Sequence, residues 1–89
     1  MIDKNSAPEA WAMFSYELED AAEALATLLS EMQEDGFGEP ELRVHLGHVY
    51  AHLNRAWHSR NAAASAALDP SDAQREAWTQ FPTDLSSVG

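Results

Sequence analysis

The sequence predicts an all-α fold: a long antiparallel helical hairpin, followed by a short C-terminal helix. Three observations carry this. Apolar residues recur at alternating spacings of three and four from Trp11 to Met32. A second run of helical period follows between Leu42 and Ala67. The stretch joining them, "GFGEP", is short and punctuated by glycine and proline, so the two helices must turn back on each other.

The first helix is expected over about 7–35. "SAPE" at 6–9 reads as a capping box, with Ser6 accepting from the Glu9 amide, and Pro8 suits the first turn. Trp11, Phe14, Leu18, Ala21, Leu25, Leu28 and Met32 then follow the heptad template, which describes a helix packed along a narrow seam. Gly36 suits the left-handed position after the last turn, with Phe37 folding back.

The second helix is expected over about 41–68, with Pro40 at its first position. Leu42, Leu46, Val49, Leu53, Ala56, Ala63, Ala64 and Ala67 share one face, with Tyr50 and Trp57 on its shoulder. Arg60 falls on the same face and should meet an acid, Glu17 lying at about the right level. A third helix is expected over about 70–81, with Asp69 as cap, Pro70 first and Ala73, Ala77, Trp78 and Phe81 on one side. It should fold over the open end of the hairpin near Trp11 and Trp57. Residues 82–89 read as a frayed terminus.

Eighty-nine residues make one small domain, 1–89. At this size a chain buries only roughly 60–65% of its unfolded surface. With no cysteine, disulfides and thiolate chemistry are excluded, and oligomerisation is the remaining common means of adding stability. The hairpin is therefore expected to pair into a homodimeric four-helix bundle. Candidate interface residues are Trp11, Phe14, Gly47, Tyr50, Ala51, Trp57 and Trp78. Gly47 anchors a stripe of small side chains on the back of the second helix.

Fifteen acids against five bases give a net charge of −10, which argues against a phosphate-backbone partner, DNA or RNA. It fits a basic protein partner. No stretch resembles a signal peptide or a membrane span, and a cytoplasmic location is the expectation.

The stretch most suggestive of chemistry is "HLGHVYAHLNRAWH", which holds all four histidines. His45, His48 and His52 form a stripe along one edge of the apolar face, and His48 and His52 stand at i, i+4, the spacing at which two imidazoles can share a metal ion. The first helix carries eight acids and no base, so the simpler reading of these histidines is charge complement to an acidic neighbour. There is no HExxH, no glycine-flanked nucleophile and no phosphate-cradling loop, so no enzyme activity and no cofactor are expected. The leading expectation is a non-enzymatic, acidic protein–protein interaction module, an adaptor or regulator. The alternative is a metal-binding helical bundle using His45, His48 and His52.

Overall fold

The structure, a computed structural model, describes residues Met1–Gly89 and contains helices and no strands. There are four helices: α1 (Pro8–Glu31), α2 (Glu39–Ser59), α3 (Ala64–Leu68) and α4 (Asp72–Thr79). α1 and α2 form the antiparallel hairpin and make the principal contact of the fold. Its core is thin. Ala10, Ala21 and Leu28 of α1 and Val49 and Ala56 of α2 are its buried apolar residues.

The helix ends are set by local chemistry that differs in places from expectation. Ser6 does not cap α1. Ala7 holds the cap position without a side-chain bond, and the preceding turn is closed instead by Asp3, whose backbone carbonyl accepts from Ala7 and whose carboxylate accepts from Asn5. α1 stops at Glu31, four residues early. Glu34 and Asp35 would place carboxylates at the negative end of the helix dipole, and no base sits in its last turn to offset them. Gly36 does take the left-handed conformation, φ 84°. At the start of α2 the Glu41 carboxylate accepts the Gly38 amide at 3.0 Å, and Pro40 needs no donor there.

α2 ends at Ser59 rather than continuing to 68. The reason is tertiary. The N-terminal end of α1 lies beside the end of α2, so a straight extension would run about 13 Å past its partner. Its alanine face would then pack on nothing. Instead the chain turns at Arg60 and Asn61, and the Arg60 carbonyl accepts the Ile2 amide at 2.8 Å. α3 then returns towards α1, placing Ala67 near Ala10 and Met13.

α4 is shorter than the expected 70–81, and it is capped by Ser71, whose hydroxyl accepts from the Gln74 amide at 3.1 Å, rather than by Asp69. It does not simply close the end of the hairpin; it packs across the back of α2. Buried Asn54 donates to the Thr79 carbonyl at 2.8 Å, and His58 Nε2 donates to the Gln80 carbonyl at 2.9 Å. Phe81 sets its edge against Tyr50, 5.2 Å between ring centres. The tail after Pro82 has no regular structure, yet it is anchored at Asp84. That carboxylate accepts the Trp57 indole N–H at 2.9 Å and lies 3.5 Å from Arg60.

Candidate functional site

The two long helices meet along a line of small residues, and this gives the hairpin two unlike sides. One is apolar: Leu18 and Phe14 of α1 and Leu53 and Trp57 of α2 border a shallow hollow that Leu85 of the tail also lines. The other is polar. Asp20, Glu23 and Thr27 of α1 face His45, His48 and His52 of α2 across an open cleft of about 340 Å³.

A hydrogen-bonded chain runs from the cleft to Glu17 and Arg55 beside it. Glu17 Oε2 lies 2.9 Å from His52 Nδ1, and His52 Nε2 lies 3.1 Å from His48 Nε2. A carboxylate only accepts, so His52 Nδ1 carries a proton and points it at Glu17. In the neutral ring Nε2 is then left with a free lone pair, which accepts from His48 Nε2–H. Arg55 completes the group. Its Nε donates to Glu17 at 3.2 Å, and its Nη2 lies 3.0 Å from His52 Nδ1. Two donors cannot bond each other, so we read the latter distance as the consequence of both groups converging on Glu17.

Sequence spacing found the histidine pair but not its carboxylate. Antiparallel pairing of helices 7–35 and 41–68 would set His52 near Glu23. α1 ends at Glu31 and α2 starts at Glu39, two residues before the expected 41, with Pro40 second rather than first; together these shift the register, and His52 meets Glu17 instead. His45 lines the same cleft, while His58 is on the opposite side of α2 under Gln80. No three His, Asp or Glu side chains are assembled as a ready metal set.

Arg60 does find an acid, but it is Asp84 and not Glu17. Its guanidinium also lies over the Trp57 ring, 3.8 Å from the centre, and donates to the Trp57 carbonyl. The indole N–H of Trp57 holds the Asp84 carboxyl below its ordinary 3.8, with Arg60 and His58 adding smaller attractions. Sequence reading missed this group because residues 82–89 have no periodicity. Asn54 was equally hidden: a polar side chain gives no apolar signal, and its partner, the Thr79 carbonyl, comes from α4, 25 residues on.

The expected interface residues fall in three places. Trp11 and Phe14 meet at a tilt on α1, 5.6 Å between ring centres, half-buried. Tyr50 and Trp57 lie on the α2 shoulder, engaged by Phe81 and Asp84. Trp78 tucks between α1 and α3, whereas Gly47 is open, with nothing within 4 Å of where a Cβ would stand, and Ala51 is half-covered. No helix is long and apolar enough to cross a membrane. No protein-family model, curated protein or solved structure matches the chain.

Proposed function

We infer that this chain is a non-enzymatic protein-interaction module that pairs with a second copy of itself through the apolar side of the hairpin, forming a four-helix bundle. The observation that carries this is an uncovered stripe on α1. Leu18, Leu25, Leu29 and Met32 are 44%, 44%, 58% and 48% exposed. At 100° per residue they fall within an arc of about 60°. Single exposed leucines are ordinary, but three in one stripe on one helix, continued by Met32 at its C-cap, are a docking face.

The area fits that occupant. A compact monomer of 9.8 kDa should expose about 5,200 Å². This chain exposes 6357 Å². The excess is larger than the roughly 800 Å² that each partner buries in a standard interface. Charge fits as well. Despite a net charge of −10, the acids of α1 sit at least a quarter-turn from the centre of the stripe, so two copies can meet there without apposing carboxylates. The stripe also carries no carboxylate that would recruit a basic chain to it. In such a dimer Asp20, Glu23 and Glu31 remain outside, an acidic surface suited to a basic protein and weakened by salt.

Multi-angle light scattering tests the pairing. We expect twice the chain mass for the native protein, and the single-chain mass for Leu25→Glu combined with Leu29→Glu, both with full helicity by circular dichroism. A native protein that stays at single-chain mass at high concentration overturns the assignment.

A further inference from the structure

We propose that His48 and His52 form a binding site for a divalent transition-metal ion of the copper type, with Glu17 as the carboxylate that orients it. The site is on the polar side of the hairpin, away from the stripe on α1, so it does not depend on the pairing inferred above.

The geometry is that of two adjacent ligands. The two Nε2 atoms are 3.1 Å apart. An ion about 2.0–2.1 Å from each would see them at an angle of about 95–100°. That lies between tetragonal and tetrahedral; the ion replaces the hydrogen bond between the two nitrogens, and the rings rotate to turn both lone pairs onto it. The second requirement of a histidine ligand is a partner on its other nitrogen, which fixes the tautomer and raises the basicity of the ligating atom. His52 has it: its Nδ1–H is spent on Glu17, and Glu17 is itself held by Arg55. His48 now carries its proton on Nε2, and binding moves that proton to Nδ1, which is free to face water because His48 is exposed.

The remaining coordination positions open into the cleft, where there is room for water. Asp20 and Glu23 on the opposite wall add negative charge around an incoming cation. Two imidazoles with water and carboxylates nearby favour copper over zinc and nickel, following the general order of divalent affinities.

The test is a titration of the untagged full chain with copper(II) chloride, followed by electron paramagnetic resonance and isothermal calorimetry. We expect saturation at one ion per chain and hyperfine structure from two imidazole nitrogens. His48→Asn should remove one nitrogen from the spectrum. Glu17→Ala should weaken binding about 10- to 100-fold, as loss of an orienting partner does. His45→Asn and His58→Asn should leave the two-nitrogen spectrum intact. His48 is exposed, so its replacement does not threaten folding, and circular dichroism checks Glu17→Ala. Zinc chloride should compete at the same place, more weakly. Failure to saturate with excess copper overturns the site. So does binding unchanged in His48→Asn, which would place the ion elsewhere, such as the N-terminal amine.

Discussion

Asp84 illustrates how one exposed carboxylate can organise a segment with no secondary structure. It takes the indole proton of Trp57 and attracts Arg60, which itself lies on the Trp57 face. The shift gives the pH dependence its sign. A carboxyl whose folded pKa lies below 3.8 adds stability above that pH, and the contribution disappears as pH falls through the lower folded value. We expect the Trp57 indole N–H resonance to move with a midpoint below 3.8, and to be insensitive to pH in Asp84→Asn. A midpoint at or above 3.8 in the native chain would mean that the tail does not dock as described. Glu17 makes a comparable group inside the hairpin, where one carboxylate serves both Arg55 and His52.

At the level of elements, α2 is the crowded one. It packs α1 on one face and α4 on the other, and its charged edge makes the histidine cleft. This accounts for its modest amphipathicity in sequence: buried Asn54 meets α4, and buried Ser59 lies among residues of α1 and α3. Gly47 is the exception, a helical position with open space where its side chain would be. Gly47→Ala should therefore raise stability by about 0.5–1 kcal/mol, since alanine restricts the unfolded chain and meets no neighbour. Urea denaturation measures it. Gly47 also faces away from the α1 stripe, so the substitution should leave self-association unchanged. A loss of stability would place a close contact on the back of α2, where the sequence alone had suggested one.

On the scale of the whole molecule, the chain is elongated, 47 × 30 × 24 Å, with a radius of gyration of 14.8 Å. A compact domain of this length would measure about 12 Å. The thin line of buried alanines, Val49 and Leu28 gives a single chain limited stability. Pairing would add to it by mass action, so Tm should rise with protein concentration in the native chain. In the Leu25→Glu, Leu29→Glu variant it should be lower and independent of concentration. A native Tm that does not move over a hundredfold dilution would count against the second copy.

What the sequence determined was the class of fold and its turning point. The spacing of Trp11 to Met32, the glycine at 36 and the proline at 40 are local signals, and local signals survive without knowledge of the partner. They were enough for two long antiparallel helices, a short helix after them, and a histidine pair one turn apart on one edge. The tertiary structure decided the register, the break after Ser59 and the seat of α4. Each depends on where one helix ends relative to another. α1 stopped at Glu31 and α2 started at Glu39, and together these moved His52 from the level of Glu23 to Glu17. α2 stopped at Ser59 because α1 offered nothing further to pack on. The heptad template, too, names a stripe without saying which edge is used: α2 took the edge of Ala21 and Leu28, and left Leu18, Leu25 and Met32 in water. Periodicity reports that a face is apolar. Only the packed neighbours decide which part of it is covered.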